Sequence, residues 1–358
     1  MKNILFVIPS MEPAGGIERV VSTIANNLSL AYNCTILTYD NKKSFYNINN
    51  DVTKKSLGCS FKINMNNRFI RVIQTAVRFF KVNIRLRDEI KNNTYDYIYV
   101  THPLDHLQML ISGCNPNKII ISEHGANNNY NSVYKFIRKH TYKRCYAYCV
   151  PTTADYAFYK NMDFPVQYTP HYRPKLSYEK VNCGTKNVLC VGRLTPDKQH
   201  LKLINMWKKV LEQVQINWVL RIVGSGELNE TLSAAIYENG LERSVELHAA
   251  TSDIERYYLD SSIFVLTSRS EGFGMVLLEA ISFGLPVISF DCPSGPRDII
   301  NAENGFLVPV DAEDEFVSLL VGLINDDELR EKYIESSYRS SKSWNDEKIT
   351  NIWMSILK

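Results

Sequence analysis

The fold of this chain is decided by the stretch Ile263-Phe-Val-Leu-Thr-Ser-Arg-Ser-Glu271-Gly-Phe-Gly-Met-Val-Leu-Leu-Glu279-Ala-Ile-Ser-Phe-Gly-Leu-Pro-Val-Ile-Ser-Phe290. An apolar strand at 263–266 leads into a polar loop with two glycines, and a helix of about three turns and a second strand follow. A helix that begins after a glycine loop presents unpaired N–H groups and the positive end of its dipole, which suit phosphate. Glu271 lies in the loop and Glu279 in the second helical turn, so both can face one ligand. The pattern predicts a site for a nucleotide that carries a hydroxyl-rich group.

The same stretch closely resembles the Glu-x7-Glu signature of the family-four retaining glycosyltransferases, which have the GT-B fold. This resemblance assigns the ribose of a nucleotide sugar to Glu279 and the transferred sugar to Glu271. It assigns sugar and phosphate binding to the backbone amides of Gly274, Met275 and Val276. The alternative interpretation of the motif is an ordinary strand–loop–helix unit with two solvated glutamates.

Length and composition narrow the class of protein. At 358 residues the chain is long for one core, so two domains are expected. Hydrophobic and charged contents of 45% and 22% are typical of a soluble globular protein. No apolar run approaches the roughly 20 residues of a membrane-spanning helix. The eight cysteines form no CxxC pair and have no metal-type spacing, which favours a reducing cytosol.

The positive charge is concentrated in the first half of the chain. Residues 1–165 contain 21 Lys and Arg against 11 Asp and Glu, whereas the remainder contains 20 against 27. Much of the excess lies in a predicted amphipathic helix at 68–91, with a stripe formed by Arg71, Arg78 and Arg85 and with Lys81 beside it, and in the segment 134–144. Both mix basic with aromatic residues.

Three interpretations of these basic segments are possible. Peripheral docking on anionic lipid and an ordinary solvated helix face fit them about equally well. Nucleic-acid binding fits less well, because the second half is acidic and carries the nucleotide-sugar motif. The first interpretation predicts a cytoplasmic protein on the inner face of the cell membrane.

Apolar runs that predict strands alternate with segments of helical period along the whole chain. Strands are predicted at 2–9, 34–38, 97–101, 118–122, 146–151, 187–192, 218–223, 245–248, 263–266 and 286–290. Helices are predicted at 17–28, 68–91, 154–160, 199–214, 227–239 and 253–260, with a helical end at 326–358. This alternation favours α/β architecture with parallel sheets, and the resemblance implies two Rossmann-like domains that face each other across a cleft.

The predicted boundaries follow from where the alternation breaks. An acceptor-side domain is expected at 1–165, a linker at 166–182 and a nucleotide-sugar domain at 183–335. In GT-B proteins a C-terminal helix, here 336–358, packs back on the first domain.

Two loops that follow strands carry further chemistry. In Gly192-Arg193-Leu-Thr-Pro-Asp-Lys198, two cations around a proline turn suit a diphosphate leaving group. The family's Gly-Arg-Leu…Lys motif implies that Arg193 and Lys198 bind the pyrophosphate. In Gly15-Gly16-Ile-Glu18-Arg19, the glycines allow a close approach to a ligand, and the resemblance places donor phosphates and acceptor there. Glu18 is therefore an acceptor-side candidate.

Histidines end several predicted strands. The resemblance places His124, in Ser122-Glu-His-Gly125, near the donor sugar and the reaction centre, and His102 is a weaker acceptor-side candidate. It also places Gly224 and His248 around the nucleobase, although Ala249-Ala250 departs from the family pattern there. His171 replaces an Asn that is common in the family.

The expected reaction follows from these assignments. The motif Gly224-Ser-Gly226 is not completed to GxGxxG, which disfavours a dinucleotide oxidoreductase. No cofactor or divalent metal is expected, since no DxD motif follows a strand, and Asp311 to Glu315 looks like the capped start of an acidic helix. The resemblance implies retention of configuration, with same-face attack preferred to a double displacement through Glu271.

The segment Asp291-Cys-Pro-Ser-Gly-Pro-Arg-Asp-Ile-Ile300 resembles bacterial capsule, exopolysaccharide and lipopolysaccharide glycosyltransferases. This similarity implies transfer of a hexose or N-acetylhexosamine from a UDP-sugar to a glycan or lipid-linked glycan. A GT-B nucleotide-sugar epimerase and a non-catalytic partner subunit are the alternatives.

Overall fold

The chain forms two compact units in a computed structural model that describes residues 1–13, 15–59, 68–124, 132–215 and 217–358. The side chains of residues 68, 69, 71 and 72 also lie outside the description, so Arg71 of the predicted stripe and Gly125 of the predicted histidine loop are not described. Unit 1 comprises residues 1–172 and 346–358, and unit 2 comprises residues 173–345. Unit 1 contains 23 Lys and Arg against 13 Asp and Glu, and unit 2 contains 18 against 25.

Strands and helices alternate through both units. The strands are β1 Asn3–Ile8, β2 Asn33–Thr38, β3 Thr53–Ser56, β4 Tyr97–Val100, β5 Ile119–Ser122, β6 Ala147–Val150, β7 Val166–Tyr168, β8 Asn187–Val191, β9 Val219–Val223, β10 Val245–His248, β11 Ile263–Leu266, β12 Val287–Phe290 and β13 Gly305–Val308. The helices are α1 Gly16–Leu28, α2 Arg68–Asn92, α3 Pro103–Ile111, α4 Ser132–Thr141, α5 Thr153–Lys160, α6 His200–Leu211, α7 Asn229–Glu238, α8 Glu255–Leu259, α9 Met275–Ser282, α10 Pro296–Ile299, α11 Glu313–Asn325, α12 Asp327–Ser341 and α13 Asp346–Ile356.

The sheet of unit 1 has seven parallel strands in the order β3-β2-β1-β4-β5-β6-β7. Its central strands are buried at every position, as a parallel sheet covered on both faces requires. The last helix, α13, belongs to this unit: the hydroxyls of Tyr32 and Tyr97 donate to the carbonyls of Leu357 and Lys358.

The sheet of unit 2 has six parallel strands in the order β10-β9-β8-β11-β12-β13. This is a doubly wound order in which the chain leaves β8 toward one edge and returns at β11 toward the other. Ligands of such sheets bind outside the carboxyl ends of the strands where the order reverses. A ligand is therefore expected at the carboxyl ends of β8 and β11. A core that includes Trp207, Trp218 and Phe316 supports the sheet.

The structure corrects several expectations about boundaries. Residues 166–168 pair with β6 as a strand of unit 1 rather than forming part of a linker. Residues 336–345 belong to unit 2, and only 346–358 belong to unit 1. Helix α9 has eight residues rather than three turns. Asp311 does not cap α11: the capping position is Ala312, and Asp311 has a φ of 72° and pairs with Lys202.

Candidate functional site

A lysine–glutamate ion pair lies at the point where the strand order of unit 2 reverses. Lys198 ends a 3-10 turn, Pro196–Lys198, in the loop after β8, and Glu271 lies in the loop after β11. The Lys198 Nζ atom is 2.6 Å from Glu271 Oε1, and the two side chains are only 14% and 9% exposed. A cation and a carboxylate are therefore held together at the expected ligand position of the sheet.

Hydrogen bonds tie the two loops to each other. The Arg269 N–H donates to the carbonyl of Asp197 over 2.8 Å, and the Thr267 hydroxyl donates to the carbonyl of Lys198 over 3.0 Å. The Ser268 hydroxyl donates to the same Glu271 oxygen that Lys198 contacts, over 2.6 Å. Because Oε1 receives both bonds from the described residues, the Lys198 ammonium and the Glu271 carboxylate are fixed before any ligand arrives.

Arg193, the second predicted cation, is exposed to solvent, in contrast to Lys198. It follows β8 by two residues and its side chain is exposed, and within the described ranges no side chain pairs with it. The structure thus holds Lys198 in place and leaves the Arg193 guanidinium in solvent, where it can move toward an anion.

Glu279 is more deeply buried than a solvated glutamate would be. It lies in α9, is 1% exposed, and its Oε2 accepts a hydrogen bond of 2.8 Å from the Tyr258 hydroxyl. Tyr258 lies in α8 and stacks on Phe283. Tyr258 could not be predicted from residue spacing, because its contact with Glu279 depends on how α8 packs against α9.

The start of α9 has the features of an anion site. Gly274 occupies the capping position with a φ of 88°, in the left-handed region that favours glycine, and no side chain caps the helix. The first N–H groups, from Met275 and Val276, are therefore left for a ligand or solvent. Glu271 and Glu279 flank this helix start in the sequence.

Gly224 has a structural role that the sequence did not predict. A Cβ atom at Gly224 would lie 1.8 Å from the carbonyl oxygen of Gly192, and one at Gly226 would lie 2.4 Å from that of Leu194. The backbone of the loop after β9 therefore packs directly on the Gly192–Arg193 loop. Its glycines are explained by this close approach of two loops.

His248 ends β10 beside an open pocket of about 320 Å³. Its Nε2 lies 3.0 Å from Glu246 Oε2, and its ring contacts Tyr257. Charged residues dominate the remaining lining, since Arg221 pairs with Glu246 and Asp260. These contacts of His248 do not show whether it lies beside a nucleobase, so that role of His248 remains a prediction.

In unit 1, His124 follows β5 and is part of a chain of polar groups. Its Nε2 lies 3.3 Å from the Tyr99 hydroxyl and its Nδ1 lies 3.3 Å from Nε2 of His171. Burial lowers the pKa of His124 to about 4, so the ring is neutral at physiological pH. His124 is thus suited to hydrogen bonding rather than to carrying charge.

The residue before His124 anchors this loop in the core. Glu123 is buried and lies 2.6 Å from the Arg138 guanidinium, and the hydroxyls of Tyr142 and Tyr148 donate to its two oxygens. Glu123 was not among the predicted site residues, although it lies beside His124 in the quoted stretch Ser122-Glu-His-Gly125. A carboxylate with these partners holds the end of β5 in one conformation.

The remaining candidates of unit 1 have mixed outcomes. His102 caps α3, because its Nδ1 accepts from the Leu104 N–H over 3.2 Å, and burial lowers its pKa. Gly15 caps α1 with the Glu18 carboxylate folded over it, whereas Gly16 is open to solvent. His102 therefore has a structural role as the cap of α3. The ligand roles of Gly15, Gly16 and Glu18 remain predictions.

The basic helix α2 presents an apolar stripe to solvent. Its members recur at intervals of three and four residues and are 40–69% exposed: Ile70, Ile73, Val77, Phe80 and Ile84. Lys81, Arg85, Arg87 and Lys91 are also exposed along α2, and α4 exposes Val133 and Phe136 beside Lys135 and Lys139. None of the described helices is both long and apolar enough to cross a bilayer.

These observations define an α/β protein whose unit 2 sheet is doubly wound, with a fixed cation in one loop and an uncapped helix start after another, an arrangement suited to an anionic ligand. Residues 178–340 match the family model described as glycosyl transferases group 1.

Known proteins match over the whole length as well. The chain is 28% identical to the amylovoran biosynthesis glycosyltransferase AmsD of Erwinia amylovora, with 100% of each covered. It is 24% identical to the GalNAc-alpha-(1->4)-GalNAc-alpha-(1->3)-diNAcBac-PP-undecaprenol alpha-1,4-N-acetyl-D-galactosaminyltransferase of Campylobacter jejuni. That alignment covers 100% of this chain and 98% of the relative. A crystal structure of S. aureus TarM with UDP superposes with a TM-score of 0.81 at 15% identity, covering 100% of both chains.

Residues 178–340 are therefore a group 1 glycosyltransferase domain, and the chain is similar to glycosyltransferases over its whole length. Its fold is the GT-B fold, and group 1 transferases use nucleotide sugars. The resemblance drawn from the Glu271–Glu279 motif and the predicted α/β class with two Rossmann-like domains are confirmed.

Proposed function

We propose that this enzyme transfers a hexose or N-acetylhexosamine from a UDP-sugar to a glycan or lipid-linked glycan, with retention of configuration and without a metal ion. The observation that carries the proposal is the Lys198–Glu271 pair at the reversal point of the unit 2 sheet. A preformed cation beside an uncapped helix start matches the charge of a nucleoside diphosphate.

Each group has a separate task in this proposal. Lys198 and Arg193 bind the diphosphate, and the amides of Gly274, Met275 and Val276 bind its oxygens and the sugar. Glu279 accepts hydrogen bonds from the ribose hydroxyls, with Tyr258 orienting its carboxylate. Glu271 accepts from a sugar hydroxyl through Oε2, since Lys198 and Ser268 already occupy Oε1.

The bond between the sugar C1 and the diphosphate oxygen breaks through an oxocarbenium-like state. Negative charge grows on the leaving diphosphate, and Lys198 with Arg193 stabilises it most at that point. The acceptor hydroxyl attacks C1 from the same face and gives its proton to the departing oxygen. Two donors on Glu271 Oε1 lower the nucleophilicity of this carboxylate, which disfavours a double displacement through it. His124, neutral at physiological pH, hydrogen-bonds the transferred sugar through Nε2, which then exchanges the Tyr99 hydroxyl for a sugar hydroxyl.

The choice of donor and acceptor rests on the relatives. The Campylobacter jejuni relative is named as a transferase of N-acetylgalactosamine to an undecaprenol-linked glycan, and AmsD is named for exopolysaccharide biosynthesis. The TarM structure contains UDP. A surface polysaccharide intermediate on a polyprenyl diphosphate is the acceptor class that fits these relatives.

The test is a transfer assay with a panel of α-linked UDP-sugars and polyprenyl-diphosphate glycans in vesicles. We expect UDP release that depends on the acceptor, and a product whose new linkage is α by NMR coupling constants. A β-linked product would contradict retention. Release of UDP with only free sugar, for every acceptor, would favour the epimerase alternative.

We further propose that α2 docks the enzyme on an anionic membrane surface. An exposed apolar stripe flanked by lysines and arginines is the pattern of an interfacial helix. Substituting Phe80 and Ile84 with Ser should abolish sedimentation with vesicles that contain phosphatidylglycerol, without lowering the thermal midpoint.

A matched control is Leu30→Ser, which removes an exposed apolar side chain outside α2. Wild-type binding should weaken as salt is raised, because the basic residues act through screened charge. Equal vesicle binding by the Phe80/Ile84 variant and the wild type would rule out docking through α2.

A further inference from the structure

His171 faces His124 through a single short contact between ring nitrogens. The distance from His124 Nδ1 to His171 Nε2 is 3.3 Å, and the ring centroids are 5.0 Å apart. His171 is 4% exposed. Burial, with a smaller contribution from His124, lowers the pKa of His171 well below its usual value.

Two neutral imidazoles that meet through one pair of nitrogens share one proton between them. If His171 Nε2 donates, His124 Nδ1 accepts, and the proton of His124 is on Nε2. If His171 accepts, His124 Nδ1 donates, and its Nε2 is a bare acceptor facing the Tyr99 hydroxyl at 3.3 Å. The partner of one ring nitrogen thus decides what the other nitrogen offers to a ligand.

The backbone around His171 is held in place on both sides. Before it, the Thr169 N–H donates to the carbonyl of Val150 over 2.9 Å and continues the pairing of β7 with β6. After it, the Tyr172 hydroxyl lies 3.0 Å from the Thr350 hydroxyl of α13. The other end of the chain of polar groups is also braced by α13, where the ring of Trp353 packs against Tyr99.

We propose that His171 is a positioning residue that fixes the tautomer and ring orientation of His124, and through it the hydrogen bond that His124 makes to the transferred sugar. The proposal rests on the sugar-binding role of His124 proposed above. His171 itself touches no reacting atom in this scheme.

The test uses protein labelled with ¹⁵N in its seven histidines, whose tautomers are read from long-range ¹H–¹⁵N correlations. The signals of His124 are assigned by their loss in His124→Gln. In the wild type we expect a single neutral tautomer for His124 and a scalar coupling across the hydrogen bond to His171. In His171→Phe we expect a mixture of both tautomers. In His171→Gln we expect a single one, because the amide again gives His124 Nδ1 one hydrogen-bond partner.

The kinetic readout follows the spectroscopic one. His171→Phe should lower kcat/KM for the donor sugar by about ten- to a hundredfold, because a small misplacement at a reacting centre has effects of that size. His171→Gln should recover most of this loss. His106→Phe is the matched control, since it replaces another fully buried histidine of unit 1 and should leave the His124 tautomer unchanged.

Absence of the coupling in the wild type, or an unchanged His124 tautomer in His171→Phe, would overturn the proposal. The coupling measurement needs no variant, so it stands even if His171→Phe does not fold. These spectra need no donor sugar, which separates the two proposals: a His124→Gln variant with wild-type kinetics would remove the sugar-binding role of His124 but not its coupling to His171.

Discussion

Lys198 must share the three N–H groups of its ammonium between Glu271 and a diphosphate when a nucleotide binds, and this sharing can be tested with two substitutions. In the free enzyme the ammonium group contacts Glu271, and neither side chain is more than 14% exposed. Lys198→Met keeps most of the side-chain volume but removes the charge that the diphosphate needs. Glu271→Gln instead removes the carboxylate with which a diphosphate competes for Lys198.

The two substitutions should therefore affect UDP binding in different ways. A hydrogen bond between charged groups contributes about 1.5–3 kcal/mol, and each 1.4 kcal/mol is about tenfold in affinity. We expect Lys198→Met to weaken UDP binding by roughly 10- to 150-fold. Glu271→Gln should leave UDP affinity unchanged or raise it, while turnover with a UDP-sugar falls.

Both substitutions should also destabilise the free protein, because each leaves a largely buried charge without its partner, at about 3 kcal/mol or more. The double variant should lose less than the sum of the two. Isothermal titration calorimetry with UDP and urea unfolding measure these effects at one fixed ionic strength. Lys202→Met is the control, since Lys202 pairs with Asp311 and Glu313 in the same unit. A UDP affinity of Lys198→Met within threefold of the wild-type affinity would show that Lys198 does not bind the diphosphate.

Three further predictions concern stability and the ribose contact. Burial lowers the pKa of His106 and of His200 to about 4, so the unfolded chain binds more protons than the folded one between about pH 4 and 6.5. The free energy of unfolding must therefore fall with acidification across that window. His106→Phe should make urea unfolding less sensitive to pH there, and an unchanged pH slope would contradict this. Gly224→Ala should cost several kcal/mol or prevent folding, because its Cβ would lie 1.8 Å from a carbonyl oxygen. The control Gly322→Ala, whose Cβ would have no atom within 4 Å, should stabilise α11 by about 1 kcal/mol. Equal midpoints of the two variants in thermal unfolding would show the loop packing to be wrong. Tyr258→Phe should weaken UDP binding by about three- to tenfold, since it removes one hydrogen bond that orients Glu279; an unchanged Kd by calorimetry would remove Tyr258 from the ribose site.

Most of unit 2 could be predicted from the sequence, because each of its early strands is a short apolar run followed by a helical period. Residues 245–248 and 263–266 were predicted to the residue. The strand β13 was missed because Gly305–Val308 follows a polar turn and begins with a glycine, which is typical of a loop. In unit 1, α3 was missed because a proline at its first turn reads as a break, whereas it is well placed at a helix start.

The site could be predicted only where its chemistry follows the chain. Lys198 and Glu271 were both found from their own loops, yet their 2.6 Å contact depends on β8 and β11 being neighbours, which the order of the strands in the sequence does not reveal. His171 and Tyr258 act across elements and therefore leave no local pattern. Gly224 was interpreted as a ligand-binding glycine, and this role remains a prediction. The structure adds a packing role, because the backbone of another loop fills the space beside Gly224.

We infer that the carboxyl edge of the unit 2 sheet binds a nucleotide sugar. Thermal unfolding with UDP, GDP, ADP and their sugars, repeated for the best ligand with Glu279→Ala and Arg193→Ala, tests it most directly. A ligand at a hundredfold excess over Kd stabilises the folded state by about 2.7 kcal/mol. We expect uridine nucleotides to raise the midpoint and both substitutions to reduce the shift. No shift with any nucleotide would contradict the claim.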